Sequence, residues 1–333
     1  MTTIGVIGAG AWGTALAQSF ASNGKQVMLW ARDAALADDI NLTHQNRKYL
    51  PGIPLHPAVT ATTDLAAVCR NDILLPVVPA QHLRGVLQIA APHINTKGGD
   101  KPVIVCAKGI EIETGRLLSN IASDLLPAAT VGVLSGPNFA HEVAQGLPAA
   151  ATLASIYHTR LIKVRDELAS KTLRLYISHD VAGTEVGGAV KNVIAIICGI
   201  VAGKNLGENA RAAVVTRGLH EMARLAESMG GKRETLMGLS GIGDLLLTCS
   251  SMKSRNFSLG HALGQGQSLQ GILQDRNGVT EGVPTAQAVA ALAERLSIEM
   301  PLTQAVHFVL EGKLSVEDAM KQLLDRPLGH EAA

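Results

Sequence analysis

The sequence predicts a doubly wound α/β domain followed by an all-α domain, and three observations carry that prediction. A short apolar strand at the start of the chain runs straight into a glycine-rich turn and a helix. Strand-like and helix-like stretches then alternate to about residue 178. After His179 the pattern is helical only. Alternation of this kind builds a mostly parallel sheet with helices on both faces. The division falls between residues 1–179 and 180–333, without a flexible linker. Two units joined that way leave a cleft, a usual place for a small-molecule site.

Thr3–Ile7 (TIGVI) is apolar enough for a buried parallel strand. Gly8, Gly10 and Gly13 follow in G-x-G-x-x-G spacing, and Trp12–Ala21 reads as a helix. The first glycine allows the tight turn, the second lets backbone approach a pyrophosphate, and the third lets helix pack on strand. The helix N-terminus adds unpaired N–H groups and partial positive charge. Placed between strand and helix, the spacing predicts a Rossmann-type dinucleotide site. The second strand, Gln26–Trp30, leads into Ala31-Arg32-Asp33. A NAD site usually carries an acidic residue there. Arg32 instead suits a 2′-phosphate, so NADP is expected, with NAD also usable. The alternative reading makes Arg32 a solvated residue heading the next helix, with Asp33 as its N-cap.

Asn46–Pro57, with three prolines, reads as the longest irregular stretch. Further strands are expected at Asp72–Val78, Pro102–Ala107, Thr130–Leu134, Ala149–Leu153 and Leu173–Ile177. Pro76 removes a ladder donor and disturbs the end of its strand. Helices are expected at Ala80–Ala90 and Thr114–Leu125, then at Val181–Gly203, Ala210–Met229, Thr285–Leu296 and Leu302–Glu311.

The 333 residues are 47% apolar, enough for two cores, and with 3% aromatic residues the packing must be aliphatic. A net charge of +1 gives no general attraction to nucleic acid or anionic membrane. Cys69, Cys106, Cys198 and Cys249 form no C-x-x-C pair, so no metal site or disulfide is expected and a reducing compartment fits. The first apolar run is a strand without a basic lead, unlike a signal peptide. The longest apolar run, Val193–Ala202, is too short to span a bilayer. A cytoplasmic protein is the expectation.

The helical part opens with Glu185-Val-Gly-Gly-Ala-Val-Lys191-Asn192. Gly187, Gly188 and Ala195 lie about one turn from Lys191 and are expected to clear space around its ammonium. A lysine in so apolar a helix is costly without a partner. It either snorkels to solvent or faces the cleft as a catalytic group, with Asn192 as a hydrogen-bonding neighbour. Lys108 follows a strand at the carboxyl edge of the sheet, where open α/β folds place ligands; its plainer reading is a strand-end lysine. Asp244 caps a helix or serves the site, with Thr248 one turn later. Ser254-Arg255-Asn256 supplies a planar donor fork suited to phosphate.

At these residues the sequence resembles the bacterial NAD(P)-dependent glycerol-3-phosphate dehydrogenases. The matching stretches are GAGAWGTALA (8–17), CAKGIE (106–111), SGPNFAHEVAQGLP (135–148), EVGGAVKNVIAI (185–196), GLSGIGDLLLTC (238–249), SRN (254–256) and GVTEGV (278–283). The resemblance implies reversible reduction of dihydroxyacetone phosphate to sn-glycerol 3-phosphate, feeding phospholipid synthesis, by a homodimer. It makes Lys191 the proton donor and acceptor and Lys108 a lysine shared by substrate and cofactor. It puts Gly136, Asn138, Asp244, Ser254, Arg255 and Asn256 at the substrate, the last two nearest its phosphate. It puts Trp12, Arg32, Ala140, Val279 and Glu281, with Arg255, at the cofactor. Three residues depart from the family pattern. Ala11 stands where serine is common, Asn138 where serine or threonine is common, and Phe257 where a further arginine is frequent, which leaves the anion pocket less basic. Two other readings stay open: a related dehydrogenase of another hydroxy acid or phosphorylated sugar, and a non-catalytic NADP-binding sensor.

Overall fold

Thr3–Ile7 forms strand β1 near the middle of an eight-stranded sheet in the computed structural model, which describes residues 2–95, 101–276 and 278–327. The chain continues through α1 (Ala11–Ser22), β2 (Gln26–Trp30), α2 (Ala34–Thr43), β3 (Gln45–Asn46), β4 (Leu50–Pro54), β5 (Val59–Thr62), α3 (Leu65–Cys69) and β6 (Ile73–Pro76). Next come α4 (Leu83–Ala90), β7 (Pro102–Val105), α5 (Leu118–Leu125), β8 (Thr130–Ser135), α6 (Ala140–Ala144), β9 (Ala149–Ala154), α7 (His158–Leu168) and β10 (Leu173–Ser178). The helical half holds α8 (Val181–Gly203), α9 (Gly207–Ser228), α10 (Asp244–Cys249), α11 (Arg255–Gly264), α12 (Leu269–Gln274), α13 (Gly282–Leu296), α14 (Pro301–Leu310) and α15 (Val316–Leu324). Among the described residues no strand follows β10.

The sheet order is β10-β9-β8-β7-β6-β1-β2-β5, with helices on both faces. Strand order reverses between β1 and β6, so a crevice opens at their carboxyl ends, where such sheets bind ligands. Every pairing is parallel except β8 with β9, in which Leu134 faces Leu153. The Rossmann-type doubly wound sheet and helical remainder follow the expected class.

The differences lie in short elements. Asn46–Pro57 is not irregular throughout: β3 and β4 pair as a small hairpin, Gln45 opposite Pro54. A two-stranded edge tolerates proline, because no neighbour needs the missing donor. β5 was hidden because it has four residues, two of them small, on the sheet edge beside β2. The helix expected from Thr114 begins at Leu118, because Gly115 takes φ +67 and turns the chain. α13 starts three residues before Thr285 and carries Pro284 in its first turn, where a missing N–H costs nothing.

α8 is the spine of the helical half. It is 23 residues long with mean hydropathy 1.9, enough by length and composition to cross a membrane, yet 83% of its most apolar window is buried by the protein. A helix apolar on every side belongs in a core. Glu185, Lys191 and Asn192 interrupt it in sequence, which is why only Val193–Ala202 stood out. α11 crosses it closely: a Cβ on Gly260 would lie 1.9 Å from the Ile196 carbonyl oxygen. Glu185, buried on α8, accepts the Ser119 N–H at 3.0 Å and the Ser119 hydroxyl, tying the spine to α5 of the sheet half. Burial pushes its carboxyl up to about 7, against the pull of those donors.

Candidate active site

The glycine turn has the shape a dinucleotide requires. Gly8 takes φ +126, and a Cβ on Gly13 would fall 1.9 Å from the Gly8 carbonyl oxygen, so helix and strand approach only because that position is bare. No atom lies within 4 Å of where a Cβ on Gly10 would sit. The space above the turn is therefore open to a pyrophosphate. α1 has no side-chain cap on its first N–H groups, Ala11 being its first residue, and the buried Trp12 indole N–H has no partner among the described residues. These unpaired donors suit an anionic, planar cofactor. Asn46, a residue sequence reasoning missed, braces the turn: its buried amide donates to the Ala9 carbonyl at 2.9 Å and the Thr14 hydroxyl at 2.8 Å.

Arg32 is exposed just past β2, whose Trp30 carbonyl accepts the Gly8 N–H at 3.2 Å, so it stands beside the same turn. Asp33 caps α2 through the Ala35 N–H at 3.1 Å, which accounts for Asp33 but leaves Arg32 without an ion pair among the described residues. Arg32→Ala should weaken NADPH roughly tenfold to a hundredfold and spare NADH, since only NADPH carries the phosphate that a charged fork would bind. Parallel titrations with both cofactors check this, and equal losses would remove Arg32 from the phosphate.

Across the crevice the two lysines converge on one carboxylate. Lys108, three residues past β7, donates to Asp244 Oδ2 at 2.7 Å and to the Gly136 carbonyl at 3.0 Å. Lys191 Nζ bonds Asp244 Oδ1 and donates to the Thr248 hydroxyl at 2.9 Å. Asp244 is wholly buried and Lys191 only 6% exposed. Asp244 reaches them because a π-type turn over Leu239–Gly243 delivers it at the start of α10, while Thr248 follows one helical turn later. Two cations around one anion leave a surplus positive charge facing the crevice. Burial, reinforced by Lys108, pushes Lys191 down to about 8, against the upward pull of Asp244.

Asn192 does not serve Lys191 as expected. Its amide nitrogen turns back to the Gly188 carbonyl at 3.4 Å, and its oxygen accepts from Asn256 at 2.8 Å. Asn256 in turn accepts the Gly282 N–H at 2.8 Å, so the two asparagines knit α8, α11 and the start of α13 behind the lysines. The glycines beside Lys191 have another task too. A Cβ on Gly187 would meet the Ser240 carbonyl oxygen at 2.3 Å, and one on Gly188 would meet the Ser135 hydroxyl at 2.5 Å. They admit the neighbouring segments rather than the ammonium.

The remaining residues ring this centre. Asn138 donates to the Ala150 carbonyl at 3.1 Å, and its oxygen, like the Ser135 hydroxyl, is buried without a partner among the described residues. Ala140 is the first residue of α6. Ser254 is spent as the N-cap of α11, accepting the Phe257 N–H at 3.2 Å. Arg255 is exposed and donates to the Val279 carbonyl at 3.1 Å. Glu281 accepts the Ala80 N–H at 3.1 Å, bridging α13 to the loop after β6, while its other oxygen and the hydroxyls of Thr280 and Thr285 are buried without partners among the described residues. Burial pushes the Glu281 carboxyl up to about 7, against the Ala80 N–H and the Arg255 charge. Unpaired polar atoms gathered on one crevice are what a polar ligand satisfies. Among the described residues no group of acidic, histidine or cysteine side chains could hold a metal ion.

Comparison with known proteins assigns the chain. Residues 3–160 match the family model of the NAD-dependent glycerol-3-phosphate dehydrogenase N-terminus, and residues 180–321 match that of its C-terminus. The chain is 52% identical over 328 residues to the glycerol-3-phosphate dehydrogenase [NAD(P)+] of Parvibaculum lavamentivorans, covering 98% of each. It is likewise 52% identical to that of Rhodospirillum rubrum, covering 98% of this chain and 93% of the relative. The crystal structure of glycerol-3-phosphate dehydrogenase from Coxiella burnetii superposes with a TM-score of 0.93 at 39% identity, covering 98% of this chain and 99% of that one. With both halves matched in order and relatives this similar over nearly the whole length, the chain belongs to the NAD-dependent glycerol-3-phosphate dehydrogenase family.

Proposed function

We propose that this chain reduces dihydroxyacetone phosphate reversibly to sn-glycerol 3-phosphate, with NADPH as the preferred reductant and NADH as an alternative. It acts as a cytoplasmic homodimer that supplies glycerophospholipid synthesis. Residues 1–179 form the cofactor domain and residues 180–333 the substrate domain. The observation that carries the reading is the buried Asp244 carboxylate held between Lys108 and Lys191, one lysine from each half of the molecule.

The reduced nicotinamide supplies a hydride to the ketone carbon when bound. Negative charge then grows on the ketone oxygen, and a fixed cation there stabilises the transition state more than the ground state. Lys191 provides that cation and then the proton, from a site that burial keeps nearly free of water. Lys108 holds the substrate against the Gly136 edge of β8. Asp244 keeps the two ammoniums close enough to act on one small molecule without expelling each other. Arg255 receives the phosphate with a planar fork, and the asparagine pair behind it fixes the start of α11.

The pH dependence follows from the lowered Lys191 pKa. Reduction needs the protonated amine, so its kcat/KM should fall as pH rises through about 8. Oxidation of glycerol 3-phosphate needs the free amine, so its rate should rise through the same range. Opposed limbs in the two directions check the assignment, and two limbs of the same sign would exclude a single donor and acceptor. The activity itself is tested by the loss of reduced-nicotinamide absorbance with dihydroxyacetone phosphate, set against phosphate-free 2-keto acids. Turnover of the acids alone would replace this reading with another dehydrogenase.

A further inference from the structure

Phe257 is buried and apolar, so the first turn of α11 has no cation of its own beyond Arg255. The fold brings one from elsewhere. Arg276, two residues beyond the end of α12, lays its guanidinium along that turn: Nη1 donates to the Arg255 carbonyl at 2.6 Å and Nη2 to the Ser258 hydroxyl at 3.1 Å. Two guanidinium groups thus meet at the N-terminus of a ten-residue helix, the end that already carries partial positive charge. No carboxylate pairs with either among the described residues. Among the described residues Asp275, next in the chain, forms no ion pair with them, and Glu281, which feels the Arg255 charge, gives its bonded oxygen to Ala80. Burial and then the Arg255 charge hold Arg276 below its usual range.

A cation at a helix N-terminus, half-buried beside another cation, is unfavourable in every term. An anion at the same place reverses the sign of each. We propose that Arg276, with Arg255 and the first turn of α11, forms a binding site for a phosphate dianion. Two of its five N–H donors fix the guanidinium against α11, and the remaining donors can meet phosphate oxygens in the fork geometry arginine favours. Phosphate reaches this crevice on the substrate or on the dinucleotide, which is the part that rests on the proposed function.

The test uses Arg276→Gln and Arg276→Lys in the full chain. Arg276→Gln should raise the KM for dihydroxyacetone phosphate about tenfold, as expected for losing one charge-assisted contact, and lower the preference over unphosphorylated dihydroxyacetone to match. Arg276→Lys, which keeps the charge but neither the two-point anchor nor the fork, should recover only part of the loss. A KM shift for NADPH and NADH alike, instead of for the substrate, would assign the site to the cofactor pyrophosphate; a shift for NADPH alone would assign it to the 2′-phosphate. If Gln and Lys are equally impaired for phosphorylated and unphosphorylated substrates, Arg276 only anchors α11 and the proposal falls. Inorganic phosphate separates this from the proposed activity: it should raise the melting temperature of wild type and not of Arg276→Gln, whether or not dihydroxyacetone phosphate turns over. Equal protection of both proteins overturns the site.

Discussion

Lys191→Met should lower kcat by about 10²–10⁴, the range that general acid–base help supplies, with lost oxyanion stabilisation adding to it. Methionine keeps the length and the apolar stem, so α8 keeps its packing against α10 and α11. The substitution does not orphan Asp244, which retains Lys108 at 2.7 Å and the Thr248 hydroxyl at 3.3 Å. A buried ammonium is exchanged for a buried thioether, and the desolvation that pushed the Lys191 pKa down disappears with it. Thermal stability should therefore hold or rise slightly. NADPH titration by fluorescence should stay near wild type, because the glycine turn lies on the other half of the molecule. Retention of more than about a tenth of wild-type kcat would be too small a loss for a proton donor and would move the role to Lys108.

The parts of this molecule that were legible in sequence are those whose physics is local. Gly8, Gly10 and Gly13 announce themselves because strand, turn and helix adjoin within a dozen residues. α8 is legible from its largely apolar content, and Lys191 from its cost there. What was hidden depends on partners distant in the chain. The Lys191–Asp244 bond spans 53 positions, and nothing local sets its distance. Asn192 looked like a partner for Lys191 because they adjoin, but successive helical residues point about 100° apart and Asn192 faces α11 instead. Ser254 read as part of a phosphate fork, although a serine three residues before an apolar run is also an N-cap signature. That second reading would have revealed α11. Glu185 tethers α8 to a segment 66 residues away, and the signal available for it in sequence is its charge in an apolar helix. Asn46 and Arg276 gave no local signal, since each acts on a segment far from it in sequence. β5 was missed because a run of only four residues carries little periodicity.

Asp244→Asn should be the most damaging single change to both stability and activity. The carboxamide removes the one negative charge between two ammoniums, of which Lys191 is only 6% exposed. Breaking a buried pair by deleting one partner costs about 3–5 kcal/mol, because the other charge stays buried and uncompensated. At the size of this chain that corresponds to a melting temperature lower by about 4–7 °C. Activity falls for a separate reason. Asp244 is what holds the Lys191 pKa up against burial and Lys108, so without it the pKa drops further below its usual range and the protonated form needed for reduction is lost at lower pH. The alkaline limb of dihydroxyacetone phosphate reduction should move to lower pH, while oxidation of glycerol 3-phosphate should retain more of its rate. The double variant Lys191→Met/Asp244→Asn separates the two effects: it removes the more buried of the uncompensated ammoniums, so stability should return toward wild type while activity does not. Additive destabilisation in the double variant would mean that Asp244 and Lys191 do not interact as a charged pair, and the carboxylate would then belong to Lys108 alone.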